Sequence, residues 1–568
     1  MRMSASSPPT ICRASTTNGS LSSKERIMIL NINPLSQADF YKTGHIFQYP
    51  EGTTEVYSNF TPRSDRLAPV LRDRFDSKVV WFGLQGFIKM FLIEIWNENF
   101  FKQPKDVAIG RYKRRLDCAL GPGAVDVSHI EALHDLGYLP IEIKSLPEGS
   151  RVDIRVPTMT IRNTSDARFF WVTNYLETVI SDELWKPSTV ATIAYEYRRL
   201  LEDFAERTGA PKAFVDWQGH DFSARGMSGF MDSMSAGAGH LLSFYGTDTI
   251  AAIDYLEDRY NANAEREIVG GSVPATEHSV MCLGGKESEI GTFRRLITEI
   301  YPSGVVSIVS DTWDFWKVIT EYARELRPQI LARTPNAIGL AKVVFRPDSG
   351  DPVRIIGGYN CVEIDRMSDL SSAIEQGAEA IQVNGKYFIL DGAGEEPLLR
   401  EAREAEVKGA VECLWDIFSG TETDKGYRVL NERVGLIYGD SITLQRAEAI
   451  LNALERKGFA SCNVVFGIGS YTYQYITRDS FGWAIKATSG VVNGERIAVQ
   501  KDPVTDGGAK KSACGLLRIE QEGNRFVLYD NQTEEQERQG ELRTVFVDGK
   551  LVVDEDLATI RARLGAVV

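Results

Sequence analysis

A strand-then-helix pattern recurs along the centre of the chain, and it constrains the fold more than any other feature. From about residue 160, short β-branched runs are followed by a polar or glycine-containing turn and then by apolar residues at helical spacing. Three examples are LLSFYGTDTIAAIDYLEDRY (241–260), VVSIVSDTWDFWKVITEYA (305–323) and VGLIYGDSITLQRAEAILNALERKG (434–458). Repeated units of this kind favour parallel strands covered by helices, and we expect an irregular parallel β/α barrel.

An aspartate follows the strand in each of these three units, at positions 248, 311 and 440. In a closed barrel the carboxyl ends of the strands meet at one rim, where active sites are built. Aspartate also caps helices, which is the commoner role for any one of the three. Three together favour a functional rim.

The two ends of the chain carry a different pattern. Residues 79–101 predict a buried helix, whereas residues 139–163 and those beyond 485 alternate like strands and hairpins. We therefore expect an α+β domain built from residues 28–170 and 481–568, beside a barrel of residues 171–480. The Ser- and Thr-rich residues 1–27 are expected to form a disordered tail.

Charge and cysteine content exclude several classes of protein. Sixty-four basic and 78 acidic residues give a net charge of −14, so no overall basic excess favours nucleic acid as a partner. Seven scattered cysteines without a CxxC pair predict a reducing, cytoplasmic location and no zinc site. No membrane association is expected, because the N-terminal residues lack the apolar run of a signal peptide or membrane span.

Two segments are suited to binding phosphate. VVFRPDSGDP (343–352) places Arg346 and Asp348 after a strand, where arginine can fork onto phosphate oxygens and aspartate can hold hydrated Mg²⁺. VVFGIGSYTYQYITRD (464–479) offers a glycine turn with Gly469 and Ser470, followed by Arg478. Each has a simpler interpretation, a surface ion pair in a turn for the first and an ordinary glycine turn for the second.

A third segment, GHDFSARGMSG (219–229), places the Phe222 ring near the Arg225 cation on one loop. Such a pair can hold a flat heteroaromatic ring and an adjacent phosphate. A buried core aromatic is the alternative interpretation for Phe222. Among the later basic residues, we interpret Arg496 as part of a solvated face.

Nine segments together resemble the nicotinamide phosphoribosyltransferase family, in the family's order over roughly residues 28–560. They are YKTGHIFQYP (41–50), LPIEIKSLPEG (139–149), HDFSARG (220–226), GTDT (246–249), SVPATEHS (272–279), VSDTWD (309–314), RPDSGDP (346–352), YGD (438–440) and ITRD (476–479). The resemblance implies a homodimer with shared active sites. It also implies synthesis of nicotinamide mononucleotide and pyrophosphate from nicotinamide and 5-phosphoribosyl 1-pyrophosphate, with ATP as co-substrate and Mg²⁺ as cofactor.

The resemblance also implies roles for individual residues. Nicotinamide would be bound by Phe222, Asp248 and Arg346, and by Tyr41 of the partner subunit. Ribose and phosphate groups would be held by a second set: Arg63, Arg225, Gly439, Asp440, Gly469, Ser470, Arg478, Lys486, Lys501 and Lys510. Asp348 would lie near Mg²⁺ and pyrophosphate. Residues about 358–428 exceed the shorter family members and are expected to be an insertion, with a VNGKYFIL hairpin and a helical EEPLLREAREAEVKGAVECLW.

His278 is the residue whose role the resemblance changes most. By pattern alone it is a helix-start or core histidine. In the family the matching histidine is phosphorylated by ATP, and this transfer requires its other ring nitrogen to be held by an acceptor. We expect Asp311, after the neighbouring strand, to be that acceptor.

Three positions depart from the family pattern, and two alternative functions stay open. Ala224 replaces a frequent aromatic, Ala484 replaces a frequent hydroxyl residue, and KKSACG (510–515) lacks one basic pair, which predicts a weaker ATP site. The alternatives are a nicotinate phosphoribosyltransferase and a non-enzymatic signalling protein on the same fold. Asp248 argues against the first, because a carboxylate repels nicotinate but accepts a hydrogen bond from an amide.

Overall fold

The computed structural model describes residues 31–164, 166–337, 339–391, 398–500 and 513–567. The expected tail of residues 1–27, Lys501 and Lys510 lie outside the described residues. The strands are β1 (Thr53–Thr61), β2 (Lys78–Val80), β3 (Ile141–Ser145), β4 (Arg151–Asp153), β5 (Met159–Asn163), β6 (Gly219–Asp221), β7 (Gly246–Thr247), β8 (Val305–Val309), β9 (Lys342–Arg346), β10 (Cys361–Glu363), β11 (Ala380–Val383), β12 (Lys386–Asp391), β13 (Leu398–Ala402), β14 (Gly420–Glu422), β15 (Arg428–Leu430), β16 (Val434–Tyr438), β17 (Val465–Ile468), β18 (Ala484–Val492), β19 (Glu495–Ala498), β20 (Leu516–Glu522), β21 (Arg525–Gln532), β22 (Arg543–Val547) and β23 (Lys550–Leu551).

The helices include short turns and several π-helical stretches, such as Ile88–Ile95 and Asn97–Phe101 in the buried helical segment predicted near the N-terminal end. Within the described ranges, the α-helices of six or more residues are α1 (Lys105–Leu120), α2 (Ser128–Leu136), α3 (Glu177–Thr208), α4 (Lys212–Gln218), α5 (Phe230–His240), α6 (Ile250–Tyr260), α7 (His278–Leu283), α8 (Glu289–Arg295), α9 (Pro352–Gly357), α10 (Leu370–Glu375), α11 (Ala410–Phe418), α12 (Leu444–Arg456) and α13 (Leu557–Leu564).

The central sheet has six parallel strands in the order β7-β6-β17-β16-β9-β8. Residues 271–275 bridge its two edges, because Gly271 pairs with Gly246 in β7 and Ala275 pairs with Ser307 in β8. The strands are short and mostly buried, as expected when helices cover a parallel sheet. The curled parallel sheet confirms the predicted β/α barrel class, and it gathers the strand ends on one rim.

The second sheet has seven strands in the order β19-β18-β1-β5-β3-β22-β23, so it combines strands from both ends of the chain. Aromatic packing joins those ends, since Phe60 stacks on Trp483 with ring centroids 4.9 Å apart. The 32-residue helix α3 links the two sheets. Its Thr189 accepts a hydrogen bond from the Trp483 indole (3.1 Å), and its Tyr197 donates to the Ile442 carbonyl (2.9 Å).

Residues 361–402 form a separate four-stranded sheet in the order β10-β11-β12-β13, within the expected insertion. The expected hairpin is present as β11 and β12, but the expectation of a helix beginning in EEPLLREA is wrong at Leu398–Ala402, which forms β13. Antiparallel pairing with β12 outweighs the helix propensity of this Leu-, Glu- and Ala-rich segment. The helical part begins only at Glu404.

None of the helices in the described residues combines the length and apolar character needed to cross a membrane.

Candidate active site

The segment that bridges the edges of the central sheet ends at His278, the first residue of α7. Its backbone is held on both sides, because Thr247 N–H donates to the Gly271 carbonyl (3.0 Å) and Ser307 N–H donates to the Pro274 carbonyl (2.8 Å). The Thr276 hydroxyl also accepts a hydrogen bond from Val309 N–H (2.9 Å). These bonds hold the segment so that His278 lies at the rim, with its side chain 50% exposed.

Asp311 lies directly opposite His278. Asp311 Oδ1 is 3.3 Å from His278 Nε2, and the aspartate side chain is only 4% exposed. Its other oxygen, Oδ2, accepts hydrogen bonds from Asp348 N–H (2.9 Å) and the Ser349 hydroxyl (2.6 Å). The carboxylate is therefore fixed, with Oδ1 facing Nε2, and Nδ1 of the imidazole is the nitrogen available for chemistry.

Arg346 ends β9 beside the same loop, and its side chain is only 12% exposed. Its Nη2 donates to the Thr276 carbonyl (2.5 Å), and its Nε lies 3.7 Å from Asp348 Oδ2. Within the described residues, Arg346 Nε is buried without a hydrogen-bond partner. A buried guanidinium with an unused donor is suited to an anionic ligand, since leaving the donor unpaired costs free energy.

Asp348 lies among several charged groups. Burial raises the pKa of its carboxyl, Asp311 and Asp440 raise it further, and Arg346 and His278 oppose the increase. A divalent cation placed here would relieve this repulsion. No group of three or more His, Cys, Asp or Glu residues is arranged to hold a metal ion within the described ranges. A buried carboxylate among other acids has the donor chemistry for a divalent cation whose remaining oxygen ligands come from a substrate.

The Phe222 ring packs against two glycines on neighbouring strand ends. A Cβ atom at Gly467 would lie 2.5 Å from Phe222 Cδ2, and one at Gly439 would lie 2.6 Å from Asp348 Oδ1. Gly467 therefore excludes larger residues while the ring stays in place, and Gly439 excludes them while Asp348 stays in place. Gly439 brings Phe222 and Asp348 to the same small area of the rim.

Asp248 is held by two neighbours through a single oxygen. Its Oδ1 lies 2.9 Å from His220 Nε2 and accepts a hydrogen bond from the Ser272 hydroxyl (2.6 Å). Burial alone raises the pKa of Asp248, but these hydrogen bonds and the charges of His220 and Arg346 hold it below its usual value. The carboxylate is thus kept ionised, and Oδ2 is the oxygen left for a ligand.

A second group of candidates surrounds Ser470, which begins the four-residue helix Ser470–Tyr473. A Cβ atom at Gly226 would lie 2.1 Å from Ser470 Oγ, so the loop carrying Arg225 lies directly against this helix. Arg225 is exposed and makes no hydrogen bond or ion pair within the described ranges. There is open space at the α-carbon of Gly469, and Asp440 is exposed with its Oδ2 accepting from Ser441 (3.0 Å).

A basic cluster forms where β1 meets β18, and it contains Arg63, Arg478, Lys486 and Lys42. Burial lowers the pKa of Lys486, Glu177 opposes this, and the charges of the other three lower it further. Arg63 donates to the Gly482 carbonyl (3.0 Å), which fixes its direction. Among the described residues, no hydrogen bond or ion pair joins this cluster or the 59% exposed Tyr41 to the rim of the same chain.

Sequence reasoning missed several residues that hold the site together. His220 carried a readable signal, because strand alternation places it on the same face as Phe222, and the two ring centroids are 4.8 Å apart. Asp221 is fully buried and accepts from Ser223 N–H (2.9 Å) and the Thr249 hydroxyl (2.8 Å). Ser272 gave no local signal, since its contact with Asp248 depends on how the sheet closes.

The profile of the Nicotinate phosphoribosyltransferase (NAPRTase) family matches residues 217–550, and that of the Nicotinamide phosphoribosyltransferase N-terminal domain matches residues 33–143. A Nicotinamide phosphoribosyltransferase of Acinetobacter baylyi is 59% identical over 94% of this chain and 98% of its own. One of Xanthomonas campestris pv. campestris is 32% identical, with the same two shares covered.

A solved structure supports the fold. The nicotinate-nucleotide pyrophosphorylase from Pyrococcus furiosus superposes with a TM-score of 0.50 and 13% identity, covering 97% of each chain. At that identity the likeness bears on the overall architecture alone.

Proposed function

The chain belongs to the nicotinamide phosphoribosyltransferase family, and from that premise we propose that it joins nicotinamide to the phosphoribosyl group of 5-phosphoribosyl 1-pyrophosphate. The products are nicotinamide mononucleotide and pyrophosphate, a salvage step toward NAD. One observation carries the proposal for this chain. Asp248 is an ionised acceptor whose Oδ1 is occupied by His220 and Ser272, beside the Phe222 ring. This arrangement suits a flat ring that bears an amide donor.

The glycosyl transfer requires placement and charge compensation more than covalent chemistry by the protein. The ring nitrogen of nicotinamide forms a bond to C1 of the ribose while the bond from C1 to pyrophosphate breaks. Phe222 holds the ring and Asp248 Oδ2 accepts from the carboxamide, which fixes the nitrogen in line with C1. Arg346, with its unused Nε donor, stabilises negative charge next to the reacting centre.

The 5-phosphate and ribose are assigned to the loops around Ser470. Gly439, Asp440, Gly469, Ser470 and Arg225 supply hydrogen-bonding groups and one cation at this part of the rim. The open space over Gly469 and the unpaired Arg225 support the assignment. Asp440 is exposed and available to a ribose hydroxyl.

Asp348 is the residue that would hold Mg²⁺, together with oxygens of the substrate pyrophosphate. When bound, the ion supplies positive charge that stabilises the departing pyrophosphate. Burial and the neighbouring acids raise the pKa of Asp348, and a bound cation would offset both effects by favouring the ionised carboxylate.

His278 is proposed to couple the reaction to ATP. Its Nδ1 forms a bond to the γ-phosphorus while the bond from that phosphorus to the β-bridging oxygen breaks, and ADP leaves. Asp311 holds the proton on Nε2 and stabilises the positive imidazole that results. The surrounding hydrogen bonds from Asp348 and Ser349 keep Asp311 in this orientation.

A homodimer is proposed to complete the site. Tyr41 is 59% exposed and lies near two other exposed aromatics of the same segment, Phe40 and Phe47, both 57% exposed. An apolar surface of this kind suits contact with a second subunit. Tyr41 of the partner subunit would then stack on the second face of the nicotinamide ring.

Three residues of the basic cluster, Arg63, Arg478 and Lys486, would bind pyrophosphate or the phosphates of ATP across the same interface. Lys501 and Lys510 are proposed for the same task from the sequence alone. A cytoplasmic location is proposed from the cysteine pattern of the sequence.

Replacing Asp248 by Asn tests the base preference. Removing the negative charge should raise the ratio of nicotinate to nicotinamide use, measured as kcat/KM, by about tenfold or more, equivalent to at least about 1.4 kcal/mol. The physical reason is the loss of repulsion between two carboxylates. Asp254→Asn, on the following helix α6, serves as the matched control and should leave the ratio unchanged. An unchanged ratio in Asp248→Asn would remove Asp248 from its assigned role.

A further inference from the structure

A buried lysine lies at the junction of the loops around Ser470. Lys186, on helix α3, has a side chain only 8% exposed, and its ammonium donates to Asp232 Oδ2 on helix α5 (2.6 Å). The same ammonium donates to Gln474 Oε1, just after the helix that begins at Ser470. Burying an ammonium group costs free energy unless hydrogen-bond partners satisfy it, so Lys186 depends on Asp232 and Gln474 in this position.

The bonds around Lys186 form a closed cycle. Asp232 Oδ2 also accepts from Ser228 N–H (2.9 Å), and Gln474 Nε2 donates to the Ser228 hydroxyl (2.6 Å). Lys186 therefore connects to Ser228 by two routes, one through Asp232 and one through Gln474. Ser228 lies three residues after Arg225, and Gln474 lies four residues after Ser470.

The two segments joined by this cycle also touch each other directly. A Cβ atom at Gly226 would lie only 2.1 Å from Ser470 Oγ, so they are already in close contact. Burial raises the pKa of Glu183, and the charges of Asp182 and Asp232 add to the increase, which brings it to about 7, so Asp232 lies among other carboxyl groups.

We propose that Lys186 is a positioning residue that holds the Arg225 loop and the Ser470 helix in register to bind the 5-phosphate of 5-phosphoribosyl 1-pyrophosphate. This rests on the proposed function, because it assigns those two segments to that phosphate. Lys186 does not itself reach the substrate in this account. It acts through Asp232, Gln474 and Ser228, which hold the segments that do.

The test is steady-state kinetics on the full-length Lys186→Met variant. Loss of the ammonium should raise KM for 5-phosphoribosyl 1-pyrophosphate by about 10- to 100-fold, since small misplacements of binding groups have effects of that size. KM for nicotinamide should stay close to that of the unchanged protein. Lys186→Arg keeps a cationic donor and should restore most of the affinity for 5-phosphoribosyl 1-pyrophosphate.

Lys144→Met is the matched control. Lys144 is also buried, 9% exposed, and pairs with the buried Glu537 (2.7 Å), but it lies in the seven-stranded sheet. It should lower the melting temperature without changing either KM. If Lys186→Met unfolds, the double variant Lys186→Met with Asp232→Asn removes the unpaired charge and is judged by the same two KM values.

Two results would overturn the proposal. One is an unchanged KM for 5-phosphoribosyl 1-pyrophosphate in a folded Lys186→Met or double variant. The other is an equal rise in both KM values, which marks a purely structural role. If the unchanged protein does not bind 5-phosphoribosyl 1-pyrophosphate, as measured by calorimetry with that compound, the proposed function itself fails and the inference fails with it.

Discussion

His278→Ala should abolish ATP hydrolysis by the purified protein, with a fall of at least about a thousandfold, while basal synthesis of nicotinamide mononucleotide persists. The variant removes the nitrogen that would carry the phosphoryl group, but it leaves Phe222, Asp248 and Arg346 in place. Tightening of substrate binding by ATP should disappear with the hydrolysis. ADP release and nucleotide formation, measured in the same reaction, separate the two effects.

A second histidine provides the control for that experiment. His134 is a half-buried histidine in the N-terminal part of the chain, and its Nε2 lies 2.9 Å from the Gln103 carbonyl. His134→Ala should keep both ATP hydrolysis and nucleotide synthesis. ATP hydrolysis that survives in His278→Ala would contradict the phosphohistidine assignment while leaving the glycosyl transfer intact.

Asp348→Asn should lower kcat/KM for 5-phosphoribosyl 1-pyrophosphate by about 100- to 1000-fold, equivalent to roughly 2.7–4 kcal/mol. The amide cannot supply the negative oxygen that the Mg²⁺–pyrophosphate group needs. The raised pKa of Asp348 adds a pH signature. In the unchanged protein the dependence on Mg²⁺ should weaken on acidification at a higher pH than for an ordinary aspartate, because the carboxyl binds Mg²⁺ only when ionised. The Mg²⁺ titrations of Asp348→Asn should not show this pH-dependent weakening.

Asp351→Asn is the control on the same loop. Asp351 caps helix α9 by accepting from Val353 N–H (2.9 Å), and asparagine caps nearly as well. Its kinetics and Mg²⁺ dependence should match those of the unchanged protein. Equal losses in both variants would show that the loop is merely sensitive to substitution, and would contradict the role given to Asp348.

Most of the fold could be predicted from hydrophobic periodicity, because it reports which face of an element is buried. The strand-to-helix units, the hairpin of β11 and β12 and the strands at both chain ends all follow from it. Two features of the fold do not follow from periodicity. Leu398–Ala402 has a helix-like composition and becomes a strand only by pairing with β12. The bridging of both sheet edges by residues 271–275 depends on contacts with strands far away in the sequence.

Only part of the candidate site could be predicted, because some of its residues are brought together only by the folded chain. Residues at strand ends, such as Asp248, Asp311 and Arg346, could be placed on one rim because parallel strands align their ends. The sequence predicts that Asp311 partners His278, and Asp311 Oδ1 lies 3.3 Å from His278 Nε2. The supporting contacts were not foreseen, since His220, Ser272 and Lys186 act through neighbours that only the folded chain brings together. The roles of Tyr41, Arg63, Arg478 and Lys486 stay predictions.

The central claim is that the rim selects an amide-bearing pyridine for transfer of the phosphoribosyl group. The direct measurement is product analysis of the unchanged protein with nicotinamide and nicotinate present together at equal concentration, with 5-phosphoribosyl 1-pyrophosphate and Mg²⁺, both with and without ATP. We predict nicotinamide mononucleotide as the main product, equimolar with pyrophosphate, and formed faster with ATP. Preferential formation of nicotinate mononucleotide, or no nucleotide at all, would contradict the account.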